Sequence, residues 1–231
     1  MHLSCVPIGN FINRSRLEMT PHYVDSKIMI YKIKCGPYDN NAYLLVCQQT
    51  GESLIIDTPS DPEELISIAS TTQVKGVLIT HNHMDHLLGF DEVTSVFDVP
   101  IGIGTDDASA LKEDAALLLE DDTKIDVGNI SVTIISTPGH TPGSICIIYD
   151  HHLFTGDTLF PGGPGKTQSP DNLDLIIESI TSKLFSLPSG VAFYPGHGDD
   201  GSLDKSRREY AVFSSKERPR DMFGDVEWLK H

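Results

Sequence analysis

A six-residue stretch, His81-Asn82-His83-Met84-Asp85-His86, sets three imidazoles and a carboxylate directly behind the apolar run Val77-Leu78-Ile79. Packing does not call for such density, because a buried histidine is satisfied by one or two partners. Imidazole and carboxylate are, however, the donors of zinc, iron and manganese sites. His81 and His83, two residues apart, can turn the same way, and Asp85 and His86 can meet them across a turn. Three more candidates stand at strand ends. His140 lies in Thr137-Pro138-Gly139-His140-Thr141-Pro142-Gly143, Asp157 ends Phe154-Thr155-Gly156-Asp157, and His197 sits between Gly196 and Gly198. Five imidazoles and two carboxylates supply three or four donors for each of two metal ions if one carboxylate bridges. Two dications side by side acidify water and polarise a carbonyl oxygen, so hydrolysis needs no serine or cysteine nucleophile.

These groups need strands that end in loops. Runs at Ile28–Ile33, Ala42–Cys47 and Ser53–Asp57, punctuated by Gly36-Pro37 and Thr50-Gly51, predict an antiparallel opening. Asp61-Pro62-Glu63-Glu64 reads as a helix cap, a first-turn proline and a capping-box glutamate. A strand at Val74–Thr80, a helix over Leu87–Phe97, a strand at Ile101–Ile103 and a helical stretch near Asp107–Leu119 follow. Strands are then predicted at Ile130–Ser136, Ser144–Tyr149, His152–Thr155 and Val191–Tyr194. Leu173, Ile176, Ile177, Ile180, Leu184 and Leu187 recur at helical spacing as a core face. Hairpins interleaved with helices in two halves predict an α+β fold: two mixed sheets with helices on the outer faces.

The chain of 231 residues, 39% hydrophobic and 22% charged, can bury a sizeable core. We expect a weakly ordered lead-in over residues 1–25, within which Met19 is an alternative start, and a single domain over 26–231 with a short C-terminal tail. Seventeen basic against thirty-three acidic residues give a net charge of −16, a field that repels nucleic acid. No apolar run is long enough to span a bilayer, and no secretory signal is readable, so neither nucleic acid nor membrane is an expected partner and cytoplasm is the expected compartment. Cys35, Cys47 and Cys146 fall in apolar stretches as small core residues. Gly165-Lys166-Thr167 suggests a phosphate loop, but Phe160 stands where the first glycine is required.

Thr80-His81-x-His83-x-Asp85-His86, with Pro138-Gly139-His140, Gly156-Asp157 and Pro195-Gly196-His197-Gly198, resembles the metallo-β-lactamase-fold hydrolase superfamily over about residues 28–200. The resemblance implies an αββα four-layer sandwich with a dinuclear site at the edge of its sheets. It further implies that His81, His83 and His140 hold one metal, that Asp85, His86 and His197 hold the other, and that Asp157 bridges them. Asp57 matches a family aspartate that braces a ligand, with a turn carboxylate as the plain alternative. The implied cofactors are two divalent ions, zinc first, with iron or manganese as alternatives. In that scheme a hydroxide between the ions attacks a small acyl substrate and Asp85 orients it. Imidazoles ligate only when neutral, so occupancy and activity are expected to fall below about pH 6.

Asp157 disfavours a true β-lactamase, which lacks it, and the segment from Gly156 to Lys166 resembles the glyoxalase II branch. A thioester is therefore the leading substrate, with Lys166 as a contact to its glutathione part or a solvated loop lysine. Gln168 and Asp199 stand where that branch has tyrosines, and its helical C-terminal domain does not fit after His197. The alternatives are a lactone or other ester, favoured by a tyrosine such as Tyr194 or Tyr210 near the metals, and a mononuclear-iron persulfide dioxygenase using His81, His140 and Asp157. Arg207, Arg208, Lys216, Arg218 and Arg220 are either an anion-attracting rim or solvated surface charge.

Overall fold

The computed structural model describes residues 20–111 and 116–230. In chain order the first half forms β1 (Tyr23–Val24), β2 (Ile28–Cys35), β3 (Asn40–Cys47), β4 (Glu52–Ile56), α1 (Glu63–Ala69), β5 (Gln73–Ile79), α2 (Phe90–Val96), β6 (Ile101–Gly104) and β7 (Ala116–Leu119). The strands make one sheet in sequence order, antiparallel from β1 to β4 and parallel from β4 to β7. The second half forms β8 (Lys124–Val127), β9 (Ile130–Ser136), β10 (Ile145–Tyr149), β11 (His152–Gly156), a short β12 (Leu159–Phe160) and β13 (Gly163–Pro164) hairpin, α3 (Pro170–Ser179), β14 (Ala192–Pro195), β15 (Gly201–Ser202) and α4 (Leu203–Ser214). Its sheet runs β15-β14-β11-β10-β9-β8, with β11 and β14 parallel.

The central strands are buried on both faces, and their period-two alternation sorts apolar residues into separate cores. Ile30, Leu45, Ile56 and Leu78 of the first sheet meet Val132, Ile147 and Phe154 of the second between the sheets. The alternate residues Leu44, Ile55 and Val77 face outward onto Leu65, Ile68 and Val93 of α1 and α2. Cys146, Leu153 and Phe193 face the other way onto Leu173, Ile176, Leu203 and Phe213 of α3 and α4. Three cores between four layers make the αββα sandwich. Cys35, Cys47 and Cys146 are free and buried, and burial pushes the Cys35 and Cys146 thiols up to about 11.

Three sequence expectations differ from the structure. Asp61 adopts φ +55 and caps nothing, so α1 starts after Pro62 without a side-chain cap. The expected helix near Asp107–Leu119 is instead a 3-10 turn at Thr105–Ala110 and strand β7, with residues 112–115 outside those described. Pairing in parallel with β6 satisfies the inner side of the β7 backbone and buries Leu119 between the sheets, which outweighs the helical preference of Ala and Leu. Of the expected lead-in, residues 1–19 lie outside those described, whereas Tyr23 and Val24 pair with β2.

The C-terminal segment also does more than trail. After α4, fully buried Trp228 packs on Phe185 and Tyr210 at ring separations of 6.0 and 5.5 Å, and its backbone N–H donates to the Gly162 carbonyl at 2.8 Å. Trp228→Ala is expected to destabilise the chain by about 3–5 kcal/mol in urea denaturation, the usual cost of emptying so large a core site. A loss below about 1 kcal/mol would show that the segment contributes no core.

Candidate metal centre

The loop after β5, the loop after β9, the end of β11 and the loop after β14 meet at one edge of the sandwich. There His81, His83 and His140 form one group of candidate donors, His81, His86 and Asp157 a second, and Asp85, His86 and His197 a third, with donor atoms within 4.8 Å of one another in each group. All seven residues that the sequence singles out for metal are brought together. Gly196 makes the approach possible, since a Cβ there would lie 2.4 Å from Asp157 Oδ1 and 2.6 Å from the His86 ring.

Acceptors outside the cluster fix which ring nitrogen faces inward. His140 Nδ1–H donates to the Lys166 carbonyl at 2.8 Å, and His197 Nδ1–H to the Tyr38 carbonyl at 2.8 Å. His86 Nδ1–H donates to Asp57 Oδ2 at 2.9 Å. Thr80 Oγ–H donates to the same Asp57 oxygen at 2.8 Å, so its oxygen is left to accept His81 Nδ1–H at 3.0 Å. Each of these four rings therefore turns Nε2 into the cluster, the arrangement by which outer partners orient metal-ligating histidines.

The inward atoms match a cation better than they match one another. His140 Nε2 lies 2.9 Å from His83 Nδ1, and His86 Nε2 lies 3.2 Å from His197 Nε2. With both protons on Nδ1, the His86 and His197 Nε2 lone pairs face each other and repel unless a positive charge lies between them. His83 has no outer partner among the described residues to fix its tautomer and can donate from Nδ1 to His140 Nε2. Among the described residues, buried His81 Nε2 and Asp157 Oδ1 have no hydrogen-bond partner. Asp157 stands 3.5 Å from His86 Nε2, 3.6 Å from His140 Nε2 and 3.5 Å from His197 Nε2, too far for good hydrogen bonds and well placed for shared cations. The donor set thus fits two divalent ions.

The field of the cluster agrees. Burial alone would push the His86 imidazolium down, but Asp57 and Asp157 outweigh it and hold the group well above the ordinary imidazole range. His197 is raised against burial by Asp157 and the Tyr38 carbonyl. Burial and neighbouring imidazoles hold His81 well below that range, and burial lowers His140. Burial opposes ionisation of Asp157, yet His197 and His86 keep it well below the usual carboxylate range. Protons and metals compete for the same lone pairs, so metal content after dialysis is expected to drop below about pH 6 when read by atomic emission. Constant content down to pH 5 would contradict ligation by these imidazoles.

Asp57 braces the cluster: besides His86 and the Thr80 hydroxyl, it accepts the Thr80 N–H at 2.8 Å, from a backbone at φ +60. Such a conformation costs a β-carbon residue about 1–3 kcal/mol and is met where geometry is over-determined. Asn40 is a residue that sequence reasoning missed. Fully buried at the start of β3, it donates from Nδ2 to Asp85 Oδ2 at 2.9 Å and lies 3.4 Å from His197 Nε2. Nothing in Tyr38-Asp39-Asn40-Asn41 distinguishes it from an ordinary turn residue.

Lys166 meets the cluster through its carbonyl, while its ammonium lies 3.8 Å from Asp225 on the rim of a cavity of about 380 Å³. That cavity opens beside His140 and Asp157 and is walled by Phe160 and by Val226 of the C-terminal segment. The five late basic residues are not among those lining it: Arg207 engages Asp204 and the Phe185 and Leu187 carbonyls, and Arg218 pairs with Asp174. The Tyr194 hydroxyl contacts His152 at 2.8 Å and Tyr210 packs on Trp228, so the feature that would favour a lactone is not found at either. No helix among the described residues is long and apolar enough to cross a membrane.

A family model described as the metallo-beta-lactamase superfamily matches residues 35–212. A probable metallo-hydrolase of Bacillus subtilis (strain 168) is 30% identical over 193 residues, 73% of this chain and 90% of that protein. A probable hydroxyacylglutathione hydrolase of Schizosaccharomyces pombe is 31% identical over 172 residues, 70% of this chain but only 65% of that protein. The crystal structure of the BLEG-1 B3 metallo-beta-lactamase superposes with a TM-score of 0.69 at 28% identity, covering 78% of this chain and 97% of that one.

Proposed function

The chain belongs to the metallo-beta-lactamase superfamily, and from that premise we propose that it is a dinuclear metal-dependent hydrolase of small thioesters of the hydroxyacylglutathione type. His81, His83 and His140 would hold one divalent ion and Asp85, His86 and His197 the other, and Asp157 is the carboxylate that both sets would share. The observation that carries this reading is the single buried carboxylate of Asp157 within 3.6 Å of inward-facing imidazoles from both sets. Two dications held there would acidify a water to serve as the nucleophile and would draw charge from a substrate carbonyl.

The remaining work falls to the chain. Asp85, pinned at Oδ2 by Asn40, is the carboxylate that orients the incoming water and takes up its proton. Asp57 and the carbonyls of Lys166 and Tyr38 keep the rings turned inward. Phe160 offers an apolar wall for the acyl group, and the exposed Lys166 ammonium a contact for an anionic part of the thiol. Likeness to the S. pombe relative supports the thioester, and the zinc, iron or manganese form is selected by the same assay.

The test is metal analysis of the purified protein together with a screen of S-lactoylglutathione, other thioesters, lactones, a cephalosporin and phosphodiesters. About two ions per chain and fastest turnover of a thioester are expected. One iron per chain with oxygen uptake on glutathione persulfide would replace this reading with an oxygenase.

A further inference from the structure

Asp107 belongs to none of the donor groups, yet it is completely buried beside them in the 3-10 turn that follows β6. Its Oδ2 accepts the Asn82 N–H at 3.0 Å and the Thr141 hydroxyl at 2.6 Å, and its Oδ1 accepts the Gly143 N–H at 3.0 Å. Asn82 lies between His81 and His83, and Thr141 follows His140. One carboxylate therefore clamps, from outside, the two loops that supply the first donor group. The contact is built in on both sides: a Cβ on Gly143 would lie 2.4 Å from Asp107 N, and one on Gly104 would lie 2.0 Å from the Gly143 carbonyl oxygen. All three neighbours are donors and a carboxylate is acceptor-only, so an amide in its place would turn an N–H toward another N–H.

Resting on the dinuclear reading above, we propose that Asp107 is a positioning residue for the His81, His83 and His140 group, setting the affinity and geometry of the ion held there. The Asp85, His86 and His197 group shares no hydrogen bond with Asp107 among the described residues and is not governed by it.

The experiment is calorimetric zinc titration and cobalt absorption spectroscopy on chelator-treated full-length protein, with thermal melts to confirm folding. Wild type is expected to bind two ions. Asp107→Asn is expected to weaken one of them about 10–100-fold, the usual effect of losing an outer partner, to leave the other within a few-fold, and to shift the cobalt spectrum. In a His197→Ala background the same change should fall on the tighter ion that is left. Thr141→Val, which keeps the carboxylate, carries the test should Asp107→Asn not fold, and is expected to weaken the same ion about fivefold, the worth of one hydrogen bond. Unchanged affinities, or parallel weakening of both ions together with lowered melting temperature, would overturn the role of Asp107. Failure of wild type to bind any ion would instead overturn the dinuclear reading itself.

Discussion

Asp157→Asn is expected to lower turnover by about 10³-fold or more, a barrier increase of ~4 kcal/mol, and to strip metal from both donor groups at once. Among the described residues no other carboxylate is placed to do so, because Asp157 alone faces His86, His140 and His197 together. Asparagine keeps the shape and removes the charge that, on the dinuclear reading, would offset two dications in a buried site, where an uncompensated charge costs most. The side chain is only 11% exposed, so solvent does little to replace it. Replacing His83 or His197 removes a donor from one group, and metal content is expected to fall by one ion rather than two. Atomic emission on the purified variants reads the difference directly. An Asp157→Asn protein that retains both ions would mean that the two groups do not share this carboxylate.

The part of this arrangement that could be read from sequence is the part whose donors are unusual residues in unusual places. His81, His83, Asp85 and His86 are conspicuous because four such groups in six positions have no packing explanation, and His140, Asp157 and His197 because strands end on them beside glycine. The braces are a different matter. Asn40 and Asp107 are ordinary residue types in ordinary loops, and they acquire meaning only through contacts to positions 45 and 25 residues away. The sandwich was legible from short apolar β runs and turn residues over β2–β5 and β9–β11, interleaved with helical patterns in two halves. Helix α4 was not, because its buried residues Leu203, Ser206 and Phe213 leave too thin a stripe among charges. The segment after α4 reads as a basic tail until Trp228 is seen inside the second outer core. β7 was misread because its pairing partner, not its composition, decides its conformation.

Asp85→Ala should separate the first ion and substrate binding from the second ion and the chemistry. Unlike Asp157, Asp85 is 29% exposed, sits at the open side of the cluster, and belongs to the second donor group alone. Burial works against its ionisation, but the Asn40 hydrogen bond and the His86 charge outweigh that and lower its pKa, so it is a carboxylate at neutral pH. Removing it leaves His81, His83, His140 and Asp157 intact around the first ion. The expected result is a folded protein that retains this ion, loses the second together with the orienting carboxylate, binds substrate with a KM within a few-fold of wild type, and loses at least about 10²–10⁴-fold in kcat, the range for a positioned acid or base. Asn40→Leu, which frees the carboxylate without removing it, is expected to lie between, with kcat down about tenfold. The order of these two variants carries the argument: a side chain needed only for folding would lower stability and KM-independent yield alike, whereas an orienting carboxylate loses kcat in proportion to how much of its position is lost. Wild-type turnover in Asp85→Ala would assign the water's orientation to another group and discard the mechanism built on it.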